Sequence, residues 1–357
     1  MDHQWGTEIE RVISAIYSTH VLRQYRAHLH DQLQSELAKG NTSDYVARVN
    51  QMHDELTKQT IAIAEERVRE SYDSFPVSSY AFVVYGSGGR QEQTLWSDQD
   101  NGLIYAKQED VDPQITQTFL TLLGQTIQLL LTEVGYPPCE GNVLVTNPLW
   151  RKSIDEWKET YRQYFADPTF DTVRKLLISA DARVTYGDRH VLESLTSELF
   201  TQLKQHPNMC ARMLSNTLRY KMLVGIFGHL LTEPYGTDAG GIDLKYGAYL
   251  PMVNAIRLMA LTHSIAATST LERIRQLRER GACSDFQAAA WEHAFVTVLK
   301  YRSMTSFQIE QGTYVNRGVL PAKLLSKEVR RELKEAFQIG NELQKWVKRL
   351  YGKEEQR

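Results

Sequence analysis

The chain has 357 residues, of which 42% are hydrophobic and 24% charged, proportions that are ordinary for a globular protein with a sizeable core. Its formal net charge is −2, so no general basic field indicates binding to DNA or RNA. The three cysteines are far apart and form no Cys-x-x-Cys pair. This spacing disfavours structural zinc and disulfides and predicts a reducing, cytoplasmic setting.

The N-terminal region, residues 1–75, has the period of helices. Its first apolar stripe follows the i, i+3, i+4, i+7, i+8 spacing and consists of Ile9, Val12, Ile13, Ile16 and Tyr17. A second helix is predicted over about 21–38. The cluster from Asn41 to Asp44 then marks the start of a third, over about 44–72. Ser74-Phe75-Pro76 breaks the pattern, which predicts a boundary near 73–78.

The segment that follows carries two carboxylates, Asp98 and Asp100, one residue apart and directly before the apolar run 103–106. In extended backbone, residues i and i+2 point to the same face, so these carboxylates should project side by side. Two bare carboxylates at that distance repel each other by roughly 1–4 kcal/mol. A divalent cation turns the repulsion into chelation, and oxygen-only ligands suit Mg²⁺ or Mn²⁺.

A glycine-rich turn precedes the two carboxylates, because the apolar run 81–85 ends in Gly86-Ser87-Gly88-Gly89. Backbone N–H groups exposed by such a turn can hold a phosphate. No lysine follows the glycines in the spacing of a Walker loop, and the Gly-x-Gly-x-x-Gly dinucleotide pattern is absent here. A turn that binds phosphate, beside two carboxylates that bind metal ions, is the minimum that a site for nucleotidyl transfer requires. The alternative is a hairpin-like connection with polar residues on its open side.

Residues 76–148 are predicted to form the catalytic α/β unit: strand, turn, strand, a helix over about 114–134 and a strand near 142–146. The stretch 119–134 is the richest in apolar residues, but it is interrupted by Gln125, Gln128 and Glu133 and is interpreted as a buried helix, not a membrane span. Residues 149–357 are almost wholly helical in period. Their breaks suit a bundle of five to seven helices, the last over about 326–351.

Gly86-Ser87 followed by Asp98-x-Asp100 resembles the signature of the DNA polymerase β-like nucleotidyltransferase superfamily. The full run 86–101 resembles more particularly the DUF294 group of nucleotidyltransferases, relatives of the bacterial PII-protein uridylyltransferase. Residues 139–151, 181–188 and 242–261 extend the resemblance. It implies an α+β fold, a small polymerase β-like unit flanked by helices. It also implies Mg²⁺- or Mn²⁺-dependent transfer of a nucleoside monophosphate from a triphosphate to a hydroxyl of an acceptor protein or small molecule.

A metal site of this kind usually needs a third carboxylate from a neighbouring element. Two candidates are open. Glu140 lies just before the predicted third strand, where relatives carry their third acidic residue, although a proline tends to stand there in DUF294-like sequences. Asp181 is the other, but its surroundings have a helical pattern and pairing with Arg183 is an alternative. Asn101 is either a brace for the carboxylate pair or a plain turn residue.

Two cations are candidate phosphate ligands. Arg90 follows the glycine turn and offers a fork of donors to phosphate oxygens, or else forms an ion pair with Glu92 or Asp98. Lys245 either meets the triphosphate or forms an ion pair in its own loop with Asp243. Because the third carboxylate stays open, an alternative function is also open: a nucleotide-sensing or protein-interaction module that keeps the fold with little turnover.

Overall fold

The computed structural model describes residues 2–37, 40–72, 75–225, 229–305, 307–310 and 313–352. The chain forms two compact units. The first comprises Met1–Arg162 with Asp181–Leu199, and the second comprises Gln163–Ala180 with Phe200–Arg357. The first unit therefore holds the N-terminal helices and the glycine turn together.

Three helices open the first unit: α1 (Asp2–Ser14), α2 (Thr19–Glu36) and α3 (Thr42–Arg69). The predicted start cluster is confirmed, because the Asn41 side chain accepts a hydrogen bond from the Ser43 amide at 2.7 Å and caps α3. The apolar positions predicted for α3 are all buried, namely Met52, Leu56, Ile61, Ile63 and Val68.

The sheet of the first unit has four strands in the order β3-β2-β1-β4. β1 (Ser79–Val84) lies in the interior, antiparallel to both β2 (Asn101–Ala106) and β4 (Arg183–Gly187), and the short β3 (Arg151–Ser153) runs parallel to β2. Between β1 and β2 comes the one-turn helix α4 (Gly86–Arg90), and α5 (Pro113–Val134) follows β2. The α+β class predicted from the sequence is confirmed.

The strand predicted near 142–146 is wrong, because the third strand is β3, several residues later. Val143 and Val145 are the β-branched residues that suggested a strand. One backbone bond joins this segment to β2, from the Asn101 amide to the Val143 carbonyl at 2.9 Å, and side chains satisfy the backbone of Val145. The Asn101 carboxamide accepts from the Val145 amide at 2.8 Å, and the Arg151 guanidinium donates to the Val145 carbonyl at 3.0 Å.

β4 is a strand that the sequence prediction missed, since residues from 149 onward were expected to be helical. It pairs with β1 through Ala81–Gly187 and Val84–Arg183, with an irregularity between Phe82 and Val83. The edge of the sheet nearest the glycine turn is therefore supplied by residues well beyond the predicted 76–148 unit.

The remaining elements are mostly helical, as predicted. α6 (Ile154–Ala166) and α8 (His190–Gln205) have residues in both units. The second unit adds α7 (Phe170–Ser179), α9 (Met209–Thr217), α10 (Leu250–Thr262), α11 (Thr270–Glu279), α12 (Asp285–Arg302) and α13 (Lys327–Tyr351). It also has a π-helical turn (Lys245–Tyr249) and four short strands, β5 (Ile242–Asp243), β6 (Phe307–Glu310), β7 (Thr313–Asn316) and β8 (Val319–Leu320). Within the described ranges, none of the helices combines the length and hydropathy of a membrane span.

Candidate active site

The glycine turn connects the buried centre of the sheet to α4, and two of its glycines are required by close contacts. Gly86 has φ of 53°, in the left-handed region, and a Cβ there would lie 2.7 Å from Oδ2 of Asp100. A Cβ on Gly89 would lie 1.8 Å from the carbonyl oxygen of Asp181. The turn therefore approaches the main chain of Asp181 more closely than any side chain at Gly89 would permit, whereas at Gly86 the Asp100 carboxylate would have to move aside.

Asp98 and Asp100 lie on either side of a buried glutamine, immediately before β2. The carboxamide of Gln99 donates to the Tyr136 carbonyl at 2.8 Å, and its amide donates to the Pro137 carbonyl at 2.9 Å. Asp98 is exposed and Asp100 half-buried, while Gln99 is 4% exposed. The inward Gln99 thus leaves its two neighbours directed away from the core, as the alternation of extended backbone requires.

The main chain fixes Asp100 against the turn. The Tyr85 amide, one residue before Gly86, donates to the Asp100 carbonyl at 2.9 Å. Ser87, Gly88, Asp98 and Asp100 line one cleft. The first amides of any helix have no carbonyl of the same helix to bond, and α4 begins at this cleft. The structure therefore brings together the residues that the sequence predicted as phosphate cradle and carboxylate pair.

A thiol that the sequence did not suggest lies beside the carboxylates. Cys139 is half-buried and hydrogen-bonds the Asp100 side chain. Burial and the nearby charges of Asp100 and Asp98 raise the pKa of the thiol to about 12. A neutral thiol can donate to a carboxylate, so Cys139 helps to hold Asp100 in place. No pattern around Cys139 marks this role in the sequence.

Two further residues from distant segments clamp the turn. Arg183, at the start of β4, forms a two-pronged ion pair with Asp54 on α3, with both N–O distances 2.8 Å, and donates to the Gly88 carbonyl at 2.9 Å. Asp54 also lines the cleft with Ser87. The pairing of Arg183 with Asp181 considered from the sequence is thus replaced by a pairing with Asp54. The N-terminal helices therefore contribute to the structure of the site, through Asp54 on α3.

Arg90 forms a buried ion pair, which is the second of the two roles that the sequence left open for it. Its Nε lies 2.9 Å from Glu92 Oε2, and its Nη1 lies 2.5 Å from Asp181 Oδ2. All three residues are at most 3% exposed. Glu92 was one of the expected partners, whereas Asp181 was not. The carboxylate of Asp181 is therefore engaged beneath the turn.

Asp54 is the third carboxylate that lines the cleft with Asp98 and Asp100, but it is paired with Arg183. In the described part of the chain, no group of three or more His, Cys, Asp or Glu side chains could hold a metal ion. Asp181 is paired with Arg90. Glu140 is exposed in the turn after Cys139. Asn101 is buried. Its carboxamide donates a hydrogen bond to the Gln99 side chain at 3.3 Å and accepts one from the Val145 amide.

Lys245 belongs to the second unit, where it begins the π-helical turn. Its ammonium lies 5.4 Å from the centre of the Tyr246 ring. The carboxylate of its predicted partner Asp243 accepts from the Tyr246 amide at 2.9 Å. Burial raises the pKa of Asp243.

A buried histidine supports the loop that carries the carboxylates. His53 on α3 bonds the Tyr136 hydroxyl at 2.8 Å and the Thr94 carbonyl at 2.9 Å. Burial, with the nearby charge of Arg26, lowers the pKa of His53 to about 3, so the ring is neutral at ordinary pH. Arg26 stacks over the Tyr136 ring at 4.2 Å and donates to the Gly135 carbonyl at 2.6 Å. These contacts fix the segment opposite Gln99.

Comparison with known proteins places this geometry in a family. Among curated proteins, no sequence matches the chain significantly. One family model, described as "Putative nucleotidyltransferase DUF294", matches residues 27–171, a range that contains the turn and both carboxylates. A second, described as "Putative nucleotidyltransferase substrate binding domain", matches residues 207–351. Together the two ranges span most of the chain, which belongs to the DUF294 family of putative nucleotidyltransferases.

Proposed function

We propose that the chain uses Mg²⁺ or Mn²⁺ to transfer a nucleoside monophosphate from a nucleoside triphosphate to a hydroxyl. The observation that carries the proposal is the pair Asp98 and Asp100, which lie on either side of buried Gln99 and line one cleft with Ser87 and Gly88. Family membership supports nucleotidyl transfer as the general reaction. The metal, the nucleotide and the acceptor are part of the proposal.

The two carboxylates fit a hard divalent cation. They offer only oxygen ligands, which Mg²⁺ and Mn²⁺ prefer, and Asp98 is open to solvent on the cleft side. When bound, the ions would neutralise charge that develops at the α-phosphorus and on the departing pyrophosphate. Asp98 and Asp100 would hold them, and the hydrogen bond from Cys139 would keep Asp100 oriented.

The glycine turn would hold the phosphates. Ser87 can donate its hydroxyl to a phosphate oxygen, and the leading amides of α4 can donate beside it. Arg183 fixes the turn from below through the Gly88 carbonyl. We also propose Lys245 as a phosphate ligand, a role that follows from the family resemblance alone.

The reaction needs a base for the acceptor hydroxyl. The hydroxyl oxygen would attack the α-phosphorus, the bond to pyrophosphate would break, and the hydroxyl proton would pass to a carboxylate. We propose Glu140 for this role. It is exposed on the turn next to Cys139, whose thiol contacts Asp100. The kinship with the uridylyltransferase group suggests a protein hydroxyl as acceptor, and a small-molecule hydroxyl is the other candidate.

A second function is favoured by one observation, the absence of a three-ligand metal group among the described residues. A site without such a group could bind a nucleotide and report its presence without turnover. Such a module would bind triphosphate with Mg²⁺ and yield no product with any acceptor.

The test is an incubation of the chain with each of the four α-labelled ribonucleoside triphosphates, Mg²⁺ and cell lysate. Transfer of label to a protein or small molecule, abolished in Asp98→Asn, is expected. The control Asp110→Asn, in an exposed loop of the same unit, should retain transfer. Undiminished transfer by folded Asp98→Asn would contradict the proposal. Calorimetric binding of nucleotide without any product would favour the sensing module.

A further inference from the structure

The N-terminal helix α3 carries a polar stripe that faces the cleft and the segment after the glycine turn. The stripe consists of Asn50, His53, Asp54 and Thr57, which have the i, i+3, i+4, i+7 spacing of one helix face. Asn50 and His53 are at most 1% exposed, and Asp54 and Thr57 line the cleft. Buried polar side chains cost stability unless they are hydrogen-bonded, and departures from an apolar interior are typical of functional positions. The stripe is therefore a candidate functional element in a region where the sequence predicts helices alone.

Two residues of the stripe bond the main chain between the turn and the carboxylates. The Asn50 carboxamide accepts a hydrogen bond from the Gln93 amide at 3.0 Å. The His53 ring donates one to the Thr94 carbonyl at 2.9 Å. Both contacts lie beyond the turn, whereas Asp54 is linked to the turn itself.

Arg183 is the link between Asp54 and the Gly88 carbonyl. Its Nη1 and Nη2 donate to the Asp54 carboxylate, while Nη2 and Nε donate to the Gly88 oxygen at 2.9 and 3.3 Å. A guanidinium held by a carboxylate is fixed in plane and direction, and its charge strengthens the hydrogen bonds that it donates. The Arg183 side chain is 20% exposed, so without Asp54 it could turn towards water. The orientation of the Gly88 carbonyl therefore depends on a carboxylate of α3.

We propose that Asp54 is a positioning residue for the triphosphate and acts through Arg183 on the turn that carries Ser87. The inference rests on the proposed function, in which this turn holds the phosphates. Asp54 differs in role from Asp98 and Asp100, because its carboxylate is engaged by Arg183 and is not offered to a cation. Loss of Asp54 should therefore weaken triphosphate binding and leave metal binding unchanged.

Calorimetric titration of the full chain with inorganic triphosphate and Mg²⁺ tests this role without knowledge of the base. Asp54→Ala should bind triphosphate about tenfold more weakly than the wild type, because the turn is no longer held in the binding orientation. Its affinity for Mn²⁺ alone, measured by electron paramagnetic resonance, should stay at the wild-type value. Asp54→Asn, which keeps the shape of the side chain, should change both affinities in the same way as Asp54→Ala and serves if that variant does not fold.

Glu36→Ala is the matched control. It removes the carboxylate from Arg48 in an ion pair between α2 and α3, and the Arg48 side chain is 21% exposed, close to the value for Arg183. This variant should bind triphosphate like the wild type. A loss of triphosphate affinity equal to that of Asp54→Ala would assign the effect to the general stability of the helices and overturn the proposal.

A double-mutant cycle tests whether Asp54 acts through Arg183. Arg183→Ala should also weaken triphosphate binding, and the addition of Asp54→Ala should cause little further loss. Losses that multiply in the double variant would overturn the indirect role. Wild-type triphosphate affinity in Asp54→Ala, or weaker Mn²⁺ binding by this variant, would overturn the inference alone. No binding of triphosphate by the wild type would contradict the proposed function as well.

Discussion

Gly86→Ala should damage the site far more than the fold. Gly86 has φ of 53°, where an L-residue costs about 1–2 kcal/mol. Its new Cβ would also lie 2.7 Å from Oδ2 of Asp100. The carboxylate would have to withdraw by about 1 Å to reach an ordinary contact distance. Because a carboxylate at a side-chain end can move cheaply, the added cost to stability should be small.

The matched control is Gly281→Ala in the second unit. Gly281 has φ of 69°, and a Cβ there would meet nothing within 4 Å. Both variants should therefore lose about 1–2 kcal/mol in urea unfolding, from the backbone alone. Only Gly86→Ala should weaken Mn²⁺ binding, measured by electron paramagnetic resonance, and lower nucleotidyl transfer by about 10²-fold. Wild-type Mn²⁺ affinity in Gly86→Ala would refute the inferred role of the Gly86–Asp100 contact.

Two further predictions concern buried charge. Arg90→Met leaves Glu92 and Asp181 buried without their shared cation, so it should lower the free energy of unfolding in urea by about 3–5 kcal/mol. Asp181→Asn should lower it clearly less. Equal losses of stability in the two variants would contradict the ion-pair assignment. His53 has its pKa lowered to about 3, so below about pH 6.5 the unfolded chain binds a proton that the folded chain does not. The free energy of unfolding should therefore decrease as the pH is lowered from about 6 to about 4, by up to about 1.4 kcal/mol per pH unit from this group. His53→Gln should flatten this pH dependence, whereas the control His190→Gln, at an exposed histidine, should not.

The sequence predicted that the glycine turn, Asp98 and Asp100 come together, because the determinants of this grouping are local. The glycine turn, Asp98 and Asp100 lie within one β–turn–β segment, and side-chain alternation alone orients the carboxylates. α3 was also predictable, since its cap and apolar period are local signals.

The parts of the site that were missed depend on contacts between distant segments. Asp54 and Arg183 meet across 129 positions in the sequence, and no spacing rule joins them. The strand β4 is short, half-buried and surrounded by helices, so its pattern is weak. The candidate third ligand Asp181 carries no local mark that its partner is Arg90, 91 positions earlier.

We propose that Asp98 and Asp100 hold the metal while the turn at Gly86–Ser87 holds the triphosphate. A crystal grown with Mn²⁺ and a non-hydrolysable triphosphate, measured at the manganese absorption edge, tests it most directly. We expect an anomalous peak between the two carboxylates, with phosphate density on Ser87 and the first amides of α4. Manganese or phosphate density located away from these residues would contradict it.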